Sequence, residues 1–488
     1  VNTNGSEERF ERWRRSIGLA AAPIIFTVLW MLPIEGLSVA AHRLLAVLGA
    51  VVVLWVTEAI PLAVTALLGP AMCVLLGIGA AKETFRAFAD PIIFLFLGSF
   101  LVAEAMLRHG VNRRIAFGIM RRVGTSPTRL LIAFAIASGV VSSWVSNTAT
   151  TAMMFPIALA VLKERRLPPA FATALMLMTA FAASIGGMGT PVGTPPNLIG
   201  LGLIESNLKI KVTFFQWMLF GVPLAVVLIA FLCVYFWWAG RGSFGETPTD
   251  ATGTVALPGK FSVGERNVLI AFCVTVILWV APGAVALARG AEDPLYRWFN
   301  ARLPESIAAL FGAILLFVLP TNLRRGEFTI SWRNAANIDW GTILLFGGGL
   351  ALGELMFSTG LAKWMGEGIA HALQANTVLG LTMLFAALGT IMSETTSNTA
   401  AAAMVVPVAI AVSQAAGVPP IQPALAACLG SSLGFMLPVS TPPNAIVYGS
   451  GLVPVRQMMR HGLVLDVAGW VAVVAVVMWI VPRVVPSA

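Results

Sequence analysis

Long apolar runs separated by short polar stretches set the pattern of this chain. The runs at 17–35, 41–58, 60–79, 89–107, 214–239, 264–282, 304–320, 340–357 and 462–483 have the length a helix needs to cross a hydrocarbon core, about 20 residues for about 30 Å. Two more, 169–205 and 420–450, are apolar but interrupted, and read as broken spans. Together they predict eleven crossings. The stretches 128–162 and 376–414 are too long for one span, and each is broken at its centre by Ser, Asn and Thr. They read as re-entrant helix–turn–helix hairpins, because irregular backbone at membrane depth is tolerated only where protein buries it or a cavity receives it. Segments 111–122 and 361–373 mix apolar with charged positions and predict amphipathic helices along the membrane surface. The expected fold class is an all-α polytopic membrane protein with about 11 transmembrane helices plus two re-entrant hairpins.

Composition agrees. Hydrophobic residues make up 58% and charged residues 11%, against about 25% charged in a soluble domain. The net charge of +9 could suggest a nucleic-acid partner. Its distribution points instead to cytoplasmic loops, since 21 of the 31 Lys and Arg fall in or next to segments 1–16, 108–129, 163–168, 240–263, 321–339 and 451–461. That bias predicts a cytoplasmic N-terminus and an outside C-terminus. The first apolar run ends in Leu32-Pro33-Ile34-Glu35 without a small-residue cleavage site, so it reads as a first span and not as a cleavable signal. Cys73, Cys233, Cys273 and Cys428 lie in apolar segments without ligand spacing and read as packing residues. His42, His109, His371 and His461 fall near span ends or loops, and Trp237, Trp238, Trp340 and Trp364 read as interfacial anchors.

The chain repeats itself. Residues 142–160 (SSWVSNTATTAMMFPIALA) and 393–411 (SETTSNTAAAAMVVPVAIA) share ten of nineteen positions. Pro191-Val192-Gly193-Thr194-Pro195-Pro196-Asn197 recurs as Pro438-Val439-Ser440-Thr441-Pro442-Pro443-Asn444 at an offset of 247. Glu104 and Gly110 recur as Glu354 and Gly360 at an offset of 250. The fourth and ninth spans are an odd number of crossings apart, so the copies are expected to be inverted in the membrane. Inverted repeats with broken helices at the midplane are a recurring plan for secondary transporters, and the breaks mark the binding site.

The chemistry of the repeated motifs fits. The paired prolines of each Thr-Pro-Pro-Asn remove backbone donors and stop the preceding helix. Freed carbonyls and Ser or Asn oxygens suit a hard cation such as sodium, whereas new helix N-termini suit an anion. One tip and one break per copy would give about two cation sites around one shared anion. The motifs hold no Lys or Arg, and Glu394 is their one acidic neighbour. Glu104 and Glu354, being ionisable and inside spans, are weaker candidates. No nucleophile triad, metal-ligand cluster, phosphate loop or dinucleotide fingerprint points to an enzyme or an organic cofactor. A closed midplane site argues against a continuous channel.

At these motifs, and at Trp55-Val56-Thr57-Glu58-Ala59-Ile60-Pro61-Leu62, the chain resembles the divalent anion:sodium symporter family over most of its length. The resemblance implies a homodimeric elevator in the cell membrane, taking up a small C4-dicarboxylate (succinate, malate or fumarate) with sodium. It implies a scaffold of 1–127 and 264–374, a transport domain of 128–239 and 375–488, and a cytoplasmic connection at 240–263. Carried over residue by residue, one sodium site takes Ser142, Ser146, Asn147 and Gly193, and the other Ser393, Thr396, Asn398 and Ser440. Substrate contacts carry over to Asn147, Thr148, Thr194, Asn398, Thr399, Thr441 and Pro442. Ser440 stands where a smaller Ala can occur, which matters little if the residue gives only its carbonyl. A sodium-independent di- or tricarboxylate antiporter and a sulfate symporter are the alternatives. The absence of basic residues at the motifs favours sodium coupling.

Overall fold

A computed structural model of the chain describes residues 4–123, 126–165, 167–241, 259–290, 292–373 and 377–485. Most of the connection expected at 240–263 lies outside these residues. The first third holds α1 (Asn4–Met31), α2 (Val39–Thr57), α3 (Leu62–Leu75), the short α4 (Ala81–Arg86), α5 (Pro91–Arg108) and α6 (Val111–Val123). Ser38 and Asp90 start α2 and α5 by accepting from the backbone N–H of Ala41 and Ile92, the usual work of a polar N-cap. The first expected hairpin is a pair, α7 (Pro127–Ser142) and α8 (Asn147–Arg165), followed by α9 (Pro169–Gly187), α10 (Pro195–Leu208) and α11 (Phe214–Ala239).

The second half follows the same order. It runs through α12 (Val263–Arg289), α13 (Pro294–Arg302), α14 (Glu305–Val318), α15 (Trp332–Ala335), α16 (Trp340–Ser358) and α17 (Leu361–Leu373). The second helix pair is α18 (Val378–Thr395) and α19 (Asn398–Ala415), and the chain closes with α20 (Ile421–Gly430), α21 (Pro442–Tyr448), α22 (Val455–Trp479) and α23 (Val481–Val484). Among the described residues ten helices are long and apolar enough to cross a membrane, or eleven if the α13–α14 pair, bent by 66°, counts as one; the ten include α18 and α19, both arms of the second expected hairpin, and leave out α3 and α20 as too short.

Three details differ from the sequence reading. A two-stranded ribbon, β1 (Pro320–Asn322) against β2 (Glu327–Phe328), interrupts the all-α expectation where Gly326 turns the chain at φ 64°. α3 is only 14 residues long, because the Gly77-Ile78-Gly79 stretch ends it early. Cys273 is exposed, unlike buried Cys73 and Cys428, so it is not a packing residue of the core. An apolar helix position can face lipid as readily as protein.

Glycine contacts knit the two halves together. A Cβ on Gly98 of α5 would lie 2.7 Å from the Ala309 carbonyl oxygen of α14. One on Gly348 of α16, 250 positions later, would lie 2.2 Å from the Ala66 carbonyl oxygen of α3. Each half thus supplies a bare backbone face that the other half covers, the kind of contact by which helices associate without a hydrophobic drive between them.

The amphipathic α6 is fixed at the end of α12. Arg114 makes a two-point ion pair with Glu265 (2.8 and 3.1 Å), donates to the Gly259 carbonyl at 3.0 Å and lies 4.1 Å over the Phe261 ring. Glu265 also completes a capping box with Ser262 at the start of α12. Both charged side chains are largely buried, at 16% and 9% exposure. Removing one partner strands the other, so Arg114→Ala is expected to lower stability by about 3 kcal/mol. The check is thermal denaturation of detergent-solubilised protein, in which the double variant Arg114→Met/Glu265→Met should lose less than either single truncation to Ala.

Candidate functional site

Both breaks form where the sequence places them. α9 stops at Gly187, and the chain runs without helix until Thr194, in extended conformation (φ −146°, ψ 142°), leads into Pro195 and α10. α20 stops at Gly430, and Thr441 (φ −141°, ψ 147°) leads into Pro442 and α21. Prolines at the first helical turn suit the restart, because no intrahelical donor is lost there.

One asparagine in each break bonds two of the freed carbonyls. Asn197 Nδ2 donates to the Gly187 and Thr190 carbonyls at 3.0 and 2.8 Å. Asn444 Nδ2 donates to the Gly434 and Leu437 carbonyls at 3.1 and 3.0 Å. Each acceptor in the second break is the first-break acceptor displaced by 247 positions. Neither asparagine was singled out as a site residue from sequence, although both close the repeated motif.

The tips repeat in the same way. Ser142 donates to Asn147 Oδ1 at 2.7 Å, and Ser393 donates to Asn398 Oδ1 at 2.7 Å. A Cβ on Gly187 would lie 2.4 Å from Asn147 Oδ1 and 3.1 Å from the Gly193 carbonyl oxygen, so tip and break converge there. In the second copy a Cβ on Gly434 would lie 2.8 Å from Ser393 Oγ. Three of the four predicted cation-site residues of the first half, Ser142, Asn147 and Gly193, are therefore gathered around Gly187, as Ser393 and Asn398 are beside Gly434 in the second. Thr396 Oγ1 is turned back onto the Met392 carbonyl at 2.9 Å, and Ser146 Oγ accepts from the Ala149 N–H at 3.3 Å.

Tip and break are tied differently in the two halves. In the first, Ser143 donates to the Gly186 carbonyl at 2.9 Å and Thr190 donates to the Ser143 carbonyl. In the second, Glu394 accepts from the N–H groups of Met436 (2.8 Å) and Leu437 (3.2 Å) and from the Ser440 hydroxyl. Ser440 thus contributes its side chain, and does more than an Ala would. The expectation that Glu394 is the one charged group near the motifs also needs correction, because Asp466 of α22 is buried beside it. The available signal was an acidic residue in the last apolar run.

The substrate candidates are unevenly open. Thr148 and Pro442 are exposed and Asn147 and Asn398 half-buried, whereas Thr194, Thr399 and Thr441 are buried. Thr441 Oγ1 accepts from the Asn444 N–H at 3.3 Å. α21 packs against α8 and α10 against α19, so each restarted helix lies beside the tip helix of the other half. One face of α8 (Thr148, Ala152, Pro156, Ala160) is exposed, while the same face of α19 (Thr399, Ala403, Pro407, Ala411) is buried. Gly349 and Gly353 of α16 and Gly366 of α17 cover the latter: a Cβ on Gly349 would lie 3.1 Å from Ala403 Cβ, and one on Gly366 2.5 Å from the Ala411 carbonyl oxygen.

The weaker candidates sit elsewhere. Glu354 is 4.0 Å from Arg86. His42 bonds to the Leu29 carbonyl and His109 to that of Thr329, both at 2.7 Å, and His461 to the Tyr235 hydroxyl at 2.8 Å. Trp237, Trp238, Trp340 and Trp364 are all exposed. Among the described residues no three His, Cys, Asp or Glu are grouped to hold a metal.

Comparison with known proteins places this arrangement. The family described as "Sodium:sulfate symporter transmembrane region" matches residues 13–485. The sodium-dependent dicarboxylate transporter SdcS of Staphylococcus saprophyticus is 33% identical, the match covering 99% of this chain and 94% of that protein. SdcS of Staphylococcus aureus (strain bovine RF122) is also 33% identical, over 96% of this chain and 91% of that one. Among solved structures, the YdaH transporter of Alcanivorax borkumensis shares the fold at a TM-score of 0.58 and 16% identity, over 97% of this chain and 98% of that one. MtrF of Neisseria gonorrhoeae does so at 0.55 and 12%, over 85% and 88%.

The asparagine anchors can be tested without any ligand. Asn197→Ala removes the donor to the Gly187 carbonyl and one of the two donors to that of Thr190, and Asn444→Ala does the same to Gly434 and Leu437. Each is expected to cost about 2 kcal/mol, and the two should lower the thermal midpoint in detergent by similar amounts.

Proposed function

The chain belongs to the divalent anion:sodium symporter family, and we propose that it is a membrane transporter that carries a C4-dicarboxylate together with sodium ions. The observation that carries this reading is the duplicated tip-and-break cluster of neutral oxygens, Ser142 with Asn147 and Ser393 with Asn398, each beside a loop held open by an asparagine. Neutral side-chain and carbonyl oxygens suit a hard monovalent cation. The N-termini of α8, α10 and α19 begin close to the motifs, and each offers roughly half a positive charge to an anion. About two bound sodium ions would balance the two charges of a dicarboxylate. Because Asn147 and Asn398 serve both ligands in this reading, cation binding orders the tip that the anion needs. The SdcS relatives support sodium and dicarboxylate as the cargo.

In this proposal the copies are inverted, the N-terminus is cytoplasmic, and the protein works as a homodimer. Residues 128–239 and 375–488 move as an elevator past a scaffold of 1–127 and 264–374. The uneven burial of α8 and α19 supports alternating access. The α19 face is closed against α16 and α17, while the α8 face stands open. In the opposite state the roles exchange, and Ala152 meets Ser99 as Ala403 now meets Gly349.

Two experiments check the reading. Labelled succinate uptake into proteoliposomes should require an inward sodium gradient, and Asn147→Ala or Asn398→Ala should reduce it to background with folded protein retained. Uptake that ignores sodium but needs internal dicarboxylate would make the protein an exchanger. In a background without native cysteines, Gly349→Cys/Ala403→Cys should cross-link and arrest transport. The pair Ser99→Cys/Ala152→Cys should cross-link only in protein that has reached the opposite state, and a failure of both pairs would contradict the exchange of faces.

A further inference from the structure

We infer that the second break carries an additional monovalent cation, bound between the carboxylates of Asp466 and Glu394, that has no counterpart in the first half. This deepens the proposed sodium-coupled transport and rests on that reading.

The argument starts from what Glu394 and Asp466 lack and have. Glu394 is 8% exposed, and its charge is met by three donors, the N–H groups of Met436 and Leu437 and the Ser440 hydroxyl. Asp466, in the middle of α22, is 5% exposed, and neither of its oxygens has a hydrogen-bond partner. The backbone at Gly434 and Phe435 and the Glu394 carboxyl lie beside it. Among the described residues it is the one carboxylate whose two oxygens are both buried and unpartnered. Ser432 Oγ of this break is buried without a partner as well, and so is Asn444 Oδ1, the latter like Asn197 Oδ1 in the first break. An isolated buried carboxylate is costly, and a second one alongside raises the cost. With Glu394 already compensated by donors, one uncompensated charge remains, which one monovalent cation balances.

The duplication sharpens the point. Glu394 aligns with Ser143, whose hydroxyl bonds the Gly139 and Gly186 carbonyls at 2.9 Å each. Asp466 displaced by 247 positions falls on Leu219. The first half is thus neutral where the second holds two carboxylates. The four cation-site residues assigned to each tip and break account for the symmetric oxygens, and the acidic pair is left over.

The test is the ratio of sodium to dicarboxylate, read from dual-label flux in proteoliposomes. Asp466→Asn keeps the shape and removes the charge, and should carry one sodium ion fewer per dicarboxylate than the unaltered protein. A second readout needs no transport: thermal stability in detergent with choline exchanged for sodium. Asp466→Asn should be the more stable protein in choline and gain less from sodium. Equal ratios and equal sodium gains in the two proteins overturn the inference. So does a sodium ratio that is unchanged while proton flux, followed with a trapped pH dye, is lost in the variant, since the pair then holds a proton. If the unaltered protein ignores sodium altogether, it is the proposed sodium coupling that fails.

Discussion

Backbone carbonyls freed in a buried interior must find donors within the protein, and here two asparagine amides supply donors to four of them. Asn197 and Asn444 each span a loop with two hydrogen bonds, at corresponding positions 247 residues apart. Without those donors the buried unwound segments would be costly. With them, α9 and α20 can stop, the chain can turn past the Ser-Asn tips, and α10 and α21 can restart beside the tip helices of the opposite half. The convergence of Asn147 with Gly187 and Gly193 depends on that arrangement, because it needs irregular backbone held in one shape.

Much of this was legible in sequence for a physical reason. Pro-Pro after Thr stops a helix wherever it stands, and Ser-Asn-Thr inside an apolar stretch has few structural roles besides capping a new one. The tips at 143–146 and 396–397, both breaks and helices at 111–123 and 361–373 therefore fell where the pattern put them. Pairing across space was not legible. Nothing local in the last apolar run tells that Asp466 sits against Glu394, or that Ser440 spends its hydroxyl on Glu394. Nor does an apolar position reveal whether it meets protein or lipid, which is why Cys273 was misplaced. The β1–β2 ribbon was missed because it is three residues against two, too short to show a period.

The two halves are alike in backbone chemistry and unlike in charge. Gly98 against Ala309 and Gly348 against Ala66 show duplicated packing; the hydrogen bonds of Ser142 and Ser393 show duplicated chemistry. Ser143 against Glu394 shows where the copies have parted. A duplicated scaffold constrained by packing can diverge only at positions where the substitution finds its own partners, and Glu394 finds three donors in a loop that already existed.

The seat of α19 on α16 has a mechanical consequence. Gly349 and Gly353 present bare backbone to Ala403 and Pro407, so the two surfaces meet with hardly a side chain projecting from either. Interdigitated ridges must unmesh one by one when helices slide, and each resists. A surface without teeth offers no such ratchet. In the proposed elevator motion, friction along this plane would be low, and the resting points would be set by what occupies the tips.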